Sequence, residues 1–164
     1  MSVVFVGLPG TGKTYLGKHL SKKMIQIEQD SFYVSGRCDT QSYLEEIEET
    51  IQHGNVVLCK NHHTKKSLDE VLEVLKRDGV RYTIFNFVPE NITDEFIDKL
   101  LDRIEKRDDN SSHLKIDQEK SRKRARQILL NGFVKKYEEP TEPFIRLDCF
   151  NNVKDNLTII KKYI

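Results

Sequence analysis

Residues 7–14 read Gly-Leu-Pro-Gly-Thr-Gly-Lys-Thr, which fits the pattern G-x-x-x-x-G-K-[ST]. An apolar run at 3–6 precedes this loop, and a segment of helical character follows it. Glycines allow successive backbone N–H groups to point at phosphate oxygens, and a helix beginning near Lys13 adds the positive end of its dipole. The loop therefore predicts an α/β fold that holds a nucleoside triphosphate.

Within this loop, the Lys13 ammonium is expected to reach the β- and γ-phosphates, and the Thr14 hydroxyl is expected to ligate Mg²⁺. The phosphate donor is expected to be GTP or ATP. The sequence does not indicate which of the two, because no base-reading signature is recognisable. The predicted nucleotide-binding residues are Gly7, Pro9, Gly10, Thr11, Gly12, Lys13, Thr14 and Tyr15.

Short β-rich runs alternate with amphipathic helical patterns along the rest of the chain. This alternation predicts one three-layer P-loop kinase domain over 1–164, with about five parallel strands and helices on both faces of the sheet. The predicted strands are 3–6, 25–28, 56–59, 82–88 and 144–147. The predicted helices are 13–24, 43–51, 68–75, 96–104, 125–137 and 157–164.

Composition narrows the class of protein. With 164 residues the chain suits one domain, and its net charge of +1 excludes a strong overall attraction to nucleic acid. Cys38, Cys59 and Cys149 have no CxxC spacing, so we expect reduced thiols and a cytoplasmic or nuclear location. No apolar run reaches about 18 residues, and the loop begins too early for a signal peptide, so we expect no membrane association.

A regulatory GTPase is excluded by its missing motifs, because no aspartate is followed three residues later by glycine and no Asn-Lys pair occurs. A kinase instead requires a base for the acceptor hydroxyl. Asp30 follows the second predicted strand at the carboxyl edge of the sheet, where ligands bind in such folds. Its carboxylate is the candidate base. The alternative is that Asp30 caps a short helical turn.

A kinase also requires cations over the transferring phosphate. Arg103 and Arg107 lie four residues apart at the end of a predicted helix that enters a polar segment. This arrangement is typical of an arginine-bearing lid, here about 103–117, that closes on the phosphates. The alternative is a solvated helix end whose arginines favour the C-terminus.

The third predicted strand ends in Cys59, where many phosphate-loop proteins place an aspartate that holds Mg²⁺ through water. Lys60, Asn61 and two histidines follow. Adjacent histidines in extended chain point in opposite directions, and no partner has zinc-like spacing, so we expect contact with phosphate groups and no zinc. Further along, 119–127 contains five basic residues, which either track a nucleic-acid backbone or form a solvated helix face.

Taken in order, these segments resemble the polynucleotide kinase domain of fungal-type tRNA ligases, which phosphorylates 5′-hydroxyl RNA ends. After the phosphate loop, residues 28–30 resemble a "QND" element and 59–63 an Asp-Arg-Asn-Asn-His element. Residues 103–110 are similar to the family's lid, and residues 131–140 to its Gly-Phe-x-x-x-Phe/Tyr-Glu-Pro element. Residues 145–157 are similar to its last strand and helix.

The resemblance implies roles for particular residues. Lys13 and Thr14 would serve the donor and Mg²⁺, Asp30 would be the general base, and Arg103 and Arg107 would bind phosphate. The substrate-binding residues implied are Asp30, Lys60, Asn61 and His63. Cys59 stands where the family has aspartate and Lys60 where it has arginine, so we expect weaker positioning of the Mg²⁺ water shell and the loss of bidentate geometry.

The sequence therefore predicts a 5′-hydroxyl polynucleotide kinase that transfers the γ-phosphate of GTP or ATP to an RNA, or a DNA, 5′ end. Such an enzyme serves RNA repair or tRNA splicing and would act with a separate RNA ligase. Two alternatives stay open. One is a kinase of a nucleoside, nucleotide or other small metabolite on the same scaffold. The other is a nucleotide-dependent RNA-binding module without turnover, an alternative that Cys59 keeps open.

Overall fold

A computed structural model describes residues 1–35, 37–106 and 119–164 of the chain, and the side chains of 119 and 120 are not described. Five parallel strands form the central sheet, and two short antiparallel strands form a separate hairpin. In chain order the strands are β1 (Ser2–Val6), β2 (Ile25–Glu28), β3 (Tyr33–Val34), β4 (Arg37–Cys38), β5 (Val56–Cys59), β6 (Tyr82–Asn86) and β7 (Phe144–Arg146).

The helices connect these strands. They are α1 (Lys13–Leu20), α2 (Thr40–Ile51), α3 (Lys65–Arg77), α4 (Asp94–Glu105), α5 (Glu119–Gly132) and α6 (Val153–Ile160). Short 3₁₀ helices lie at Gln29–Phe32 and Val134–Lys136. Several helices begin at a side-chain cap of the kind that satisfies free backbone N–H groups; for example, Thr64 accepts a hydrogen bond from the Ser67 N–H at 3.2 Å.

The strand order of the sheet is β2-β5-β1-β6-β7. From β1 the chain goes first to the edge strand β2, returns to β5 beside β1, and then crosses to β6 and β7 on the other side of β1. The carboxyl end of β1 lies at this switch point, where doubly wound sheets bind their ligands. Because residues 7–14 follow β1 directly, the phosphate loop occupies that position.

Two apolar cores separate the three layers. One core packs α1, α4, α5 and α6 against one face of the sheet, with Phe5, Phe85 and Leu100 fully buried. The other packs α2 and α3 against the opposite face, around Ile47, Leu72 and other buried side chains. The predicted three-layer α/β fold with a five-stranded parallel sheet is confirmed.

Some predicted helix ends are wrong. The first helix ends at Leu20 and not at Met24, because the Ser21 hydroxyl donates to the Lys18 carbonyl at 2.7 Å and the chain turns before β2. The helix predicted over 125–137 ends at Gly132, and a 3₁₀ turn follows it. The last helix ends at Ile160, short of Ile164. Among the described residues, no helix has the length and apolar character needed to cross a membrane.

Candidate active site

The phosphate loop adopts a conformation that requires two of its glycines. Gly10 and Gly12 have φ values of 88° and 86°, in the left-handed region that side chains disfavour. A Cβ at Gly10 would also lie 3.1 Å from the Leu100 carbonyl oxygen on α4. The glycines therefore allow the loop to curl closely against α4 at the head of α1.

Lys13 is the first residue of α1 and is buried. Its Nζ atom donates to the Leu8 carbonyl oxygen at 2.8 Å and to Thr11 Oγ1 at 3.1 Å. The Thr11 hydroxyl in turn donates to the same Leu8 carbonyl at 2.8 Å. These contacts hold the ammonium group inside the curl of the loop, where the N-terminal end of α1 also favours negative charge.

The remaining predicted nucleotide-binding residues line the same turn. Pro9 and Thr14 are half-buried, and Gly7 packs so closely that a Cβ there would lie 2.7 Å from Thr11 Oγ1. Tyr15 is 58% exposed on the first turn of α1, with its ring edge against His19. Its role in nucleotide binding stays a prediction.

Hydrogen bonds attach the loop to the segment after β5. The Gly7 N–H donates to the Asn61 carbonyl at 2.8 Å, and the Asn61 N–H donates to Gln29 Oε1 at 3.2 Å. Gln29 also donates to the Tyr33 hydroxyl at 2.8 Å. The loop, the segment after β5 and the turn after β2 are thus linked at one edge of the sheet.

Arg103, on α4, reaches the phosphate loop. Its Nη1 atom lies 3.5 Å from the Gly10 carbonyl oxygen, and its guanidinium carbon lies 4.6 Å from the centre of the Phe150 ring. The structure therefore places this predicted phosphate-binding arginine beside the loop. Arg107 and most of the predicted lid, 103–117, lie outside the described residues.

Asp30 lies in the 3₁₀ helix Gln29–Phe32, directly after β2, and is exposed. Its charge raises the pKa of Tyr33 and of Cys38, although burial is the main cause in both cases. The carboxylate therefore lies near the β3–β4 hairpin at the carboxyl edge of the sheet. Its role as general base stays a prediction, and Glu28, not Asp30, occupies the N-cap position of this turn.

After β5 the chain forms a compact corner. Lys60 is buried, with Nζ 4.9 Å from the centre of the Tyr43 ring. His62 is buried with φ 45°, and its Nδ1 lies 2.8 Å from the Phe5 carbonyl oxygen. Because the ring also lies 3.4 Å from the Tyr43 hydroxyl, His62 fastens the corner to β1 and α2.

His63 faces the opposite way, against the end of α5. Its ring packs on Phe133 at 4.8 Å between ring centres, and its carbonyl accepts a hydrogen bond from the Glu138 N–H at 2.9 Å. The substrate-binding roles predicted for Lys60, Asn61 and His63 stay predictions, but all three lie on the segment that contacts the phosphate loop.

The electrostatics of this edge favour anions. Burial is the main cause that lowers the pKa of His62 to about 3, and the charges of Lys60 and Lys13 contribute to this lowering. Burial is also the main cause that lowers the pKa of His63, and Lys13, Lys136 and Lys60 add to that effect. Lys13 and Lys60 therefore act on both rings, and Lys136 acts on His63, which gives the edge a positive potential suited to phosphate groups.

The metal-binding capacity of this edge is limited. The Cys59 thiol donates to the Lys13 carbonyl oxygen at 3.6 Å, and burial and the charge of Glu28 raise its pKa to about 12. A neutral thiol does not suit Mg²⁺, which prefers oxygen. Within 1–35, 37–106 and 119–164, no group of three His, Cys, Asp or Glu side chains is placed to hold a metal. The Thr14 hydroxyl, on the first turn of α1, is an oxygen ligand that fits a Mg²⁺ ion that keeps its waters and binds substrate phosphates.

Two arginines of the basic stretch on α5 are paired with carboxylates of α4. Arg122 contacts Asp102 at 2.9 Å and Glu105 at 2.8 Å. Arg126 contacts Asp94 at 2.9 Å and also Asp98. These two arginines therefore join two helices, whereas Lys123 and Arg124 are exposed. The structure supports neither alternative for the whole stretch.

The sequence does not predict the contacts that three residues of this site make, although two of them, Gln29 and His62, lie in the motifs given above. Gln29 bridges two segments, Phe150 supports Arg103, and His62 locks the corner after β5. Their roles depend on contacts between segments far apart in sequence. The positive φ of His62 could not be predicted from the sequence, because histidine is enriched in this conformation but adopts it in only a small fraction of cases.

A phosphate loop at the switch point of a parallel sheet, with a lysine in the loop and an arginine beside it, defines a P-loop kinase. Solved kinases share the fold. A gluconokinase from Sinorhizobium meliloti 1021 matches with TM-score 0.62 and 16% identity, over 94% of this chain and 85% of that one. A fungal RNA kinase matches with TM-score 0.65 and 20% identity, over 97% and 83%.

Kti12 from Chaetomium thermophilum, in complex with ADP-AlF3, matches with TM-score 0.60 and 13% identity, over 99% of this chain and 96% of that one. At these identities the likenesses establish the fold alone. No curated protein matches the chain. Residues 3–151 match the tRNA ligase kinase domain family, and the chain belongs to that family.

Proposed function

We propose that this domain transfers the γ-phosphoryl group of GTP or ATP to the 5′-hydroxyl end of an RNA, or of a DNA, in RNA repair or tRNA splicing. The observation that carries the proposal is that the phosphate loop, Arg103 and the Asp30 turn all lie at the carboxyl edge of one sheet. Membership of the tRNA ligase kinase domain family supports a polynucleotide acceptor.

Each group has a chemical task in this proposal. The loop amides and the Lys13 ammonium hold the β- and γ-phosphates. Asp30 accepts the proton of the 5′-hydroxyl as its oxygen bonds to the γ-phosphorus, while the bond from that phosphorus to the β–γ bridging oxygen breaks and the nucleoside diphosphate leaves. Arg103 offsets the negative charge on the transferring group.

Mg²⁺, when bound with the donor, would neutralise phosphate charge and orient the γ-phosphoryl group. The Thr14 hydroxyl is the proposed protein ligand. Lys60, Asn61 and His63 are proposed to contact the acceptor end, since the positive edge that they share lies next to the loop. Because 5′-phosphate ends are substrates for RNA ligases, we propose that the domain acts with a separate RNA ligase.

A transfer assay tests the proposal. The protein is incubated with γ-labelled GTP or ATP and a 5′-hydroxyl oligonucleotide, and in parallel with nucleosides, nucleotides and small hydroxylated metabolites. We expect label only in the oligonucleotide. Transfer to a small acceptor alone would indicate a metabolite kinase, and absence of transfer from either donor would overturn the proposal.

Asp30→Ala distinguishes catalysis from simple binding. If Asp30 is the base, this variant loses most transfer activity while nucleotide binding persists. If the protein only binds RNA in a nucleotide-dependent way, the variant behaves like the unmodified protein. Binding of a fluorescent nucleotide and label transfer are measured on the same preparations.

A further inference from the structure

The end of β5 carries a thiol at a place where a carboxylate would serve a phosphate-bound metal. Cys59 is buried, its Sγ atom contacts the Lys13 carbonyl oxygen at 3.6 Å, and a Cβ at Gly17 would lie only 2.4 Å from it. The thiol therefore fills the space between the sheet and α1. It offers no oxygen to a magnesium ion or to its waters.

A carboxylate lies directly beside it on the next strand. Glu28, the last residue of β2, is in register with Cys59. Partners in register on adjacent parallel strands place their side chains on the same face of the sheet. The charge of Glu28 acts on the Cys59 thiol, which is consistent with this placement.

That face is the one covered by α1 and the phosphate loop. Gln26, two residues before Glu28 and hence on the same face of β2, donates from Nε2 to the Thr14 carbonyl oxygen at 3.1 Å. Ile27, between them, belongs to the core on the opposite face. Glu28 therefore lies one strand repeat of about 6.6 Å beyond a side chain that already touches Thr14, toward the carboxyl edge.

We propose that Glu28 replaces the missing carboxylate of β5 and, together with the Thr14 hydroxyl, positions the water shell of the donor-bound Mg²⁺. In this chain the end of β5 carries a thiol, and the carboxylate stands at the register position beside it on β2, on the same face of the sheet.

This inference deepens the proposed function but concerns only the donor half of the site. It is therefore tested by nucleotide binding without an acceptor. The affinities for the β,γ-imido analogues of GTP and ATP are measured by calorimetry with excess Mg²⁺ and with EDTA. The dissociation constant in EDTA divided by the dissociation constant with Mg²⁺ reports how strongly the protein couples metal to nucleotide.

Glu28→Gln is expected to lower this ratio about tenfold, the scale seen when a group that orients a metal ligand is removed. Affinity in EDTA should change little, because the phosphate loop is intact. Glu49→Gln, the same change at an exposed position of α2 on the opposite face of the sheet, is the matched control and should keep the ratio within twofold. Adding Cys59→Asp to Glu28→Gln should restore at least part of the ratio, which a merely structural role for Glu28 would not produce.

An unchanged ratio in folded Glu28→Gln, or an equal loss in Glu49→Gln, would overturn the inference. If Glu28→Gln melts well below the unmodified protein, Glu28→Asp tests the same contact, because it keeps the charge and shortens its reach by one methylene. A partial loss of the ratio then supports the inference, and an unchanged ratio overturns it. Failure of RNA phosphorylation with a normal effect of Glu28→Gln would overturn the proposed function alone.

Discussion

The basic side chains at the carboxyl edge of the sheet and those on α5 have the same charge but different partners. Arg103 touches a loop carbonyl and lies over the Phe150 ring, and Lys60 lies over the Tyr43 ring. Among the described residues, neither forms an ion pair with a carboxylate. Arg122 and Arg126, in contrast, each contact two carboxylates on α4.

The cations at the sheet edge are therefore available to a ligand, whereas the two arginines of α5 are neutralised by the carboxylates of α4. A guanidinium that rests on an aromatic ring and a carbonyl keeps most of its positive potential for a phosphate group. A guanidinium between two carboxylates has little to offer a phosphate, and its surface ion pairs contribute little to stability. The account therefore predicts that equivalent substitutions in the two regions affect activity very differently.

The largest expected effect comes from Lys13, the cation held inside the loop. Lys13→Met should lower the rate of label transfer at saturating donor by about 10²–10³-fold, because a positioned charge on the transferring phosphate is lost. Single-turnover transfer to a 5′-hydroxyl oligonucleotide measures this. A loss of less than about fivefold would show that the loop lysine is not part of the chemistry.

Arg103→Gln and Arg126→Gln can be compared directly, since each removes one guanidinium. Arg103 contacts the phosphate loop from α4, whereas Arg126 joins α5 to α4. We expect Arg103→Gln to slow transfer about 10²-fold, whereas Arg126→Gln leaves the rate within about twofold. Steady-state kinetics on both variants check this. Similar losses in the two variants would break the distinction between the regions.

The buried His62 should make the edge sensitive to acid. Its pKa of about 3 in the folded protein lies below the value near 6.5 of an unfolded chain, so the unfolded state binds the proton first. Stability should therefore fall as the pH falls from about 6.5 toward 3, by about 1.4 kcal/mol per pH unit from this group. Urea unfolding of the unmodified protein between pH 6.5 and 4.5 measures the slope.

His62→Asn, which tolerates a positive φ, should remove most of that slope, whatever its effect on stability at neutral pH. The control is His53→Gln, at an exposed position after α2, which should leave the slope unchanged. An equal slope in the His62→Asn variant and the unmodified protein would contradict the assignment.

The smallest effect is expected between α4 and α5. A double-mutant cycle on Arg122→Met and Asp102→Asn should give a coupling energy of about 0.2–1 kcal/mol, because both side chains are partly exposed. The coupling should shrink further at high salt. A value of several kcal/mol would mean that this pair is a main support of the fold.

The sequence predicts the fold well because its signals are local. The phosphate loop and the alternation of strand and helix patterns are enough to predict the sheet, and Asp30 follows directly from the end of β2. The sequence also predicts that Arg103 lies near the phosphates, since it ends the helix before the predicted lid.

The remaining features depend on tertiary packing. The register that places Glu28 beside Cys59 requires the strand order, which no single segment encodes. The carboxylates that pair with Arg122 and Arg126 lie on a different helix. The composition of α5 alone therefore cannot distinguish an arginine in an ion pair from one that binds nucleic acid. Helix ends such as Leu20 depend on local side-chain hydrogen bonds that compete with the helix.

The central claim is that the cations at the sheet edge serve phosphoryl transfer to a polynucleotide end. The most direct measurement compares label transfer from γ-labelled GTP and ATP to one oligoribonucleotide with a 5′-hydroxyl and to the same oligoribonucleotide with a 5′-phosphate. The account predicts labelling of the 5′-hydroxyl form alone, lost in Lys13→Met and retained in Arg126→Gln. No labelling from either donor, or equal labelling of the two forms, would contradict it.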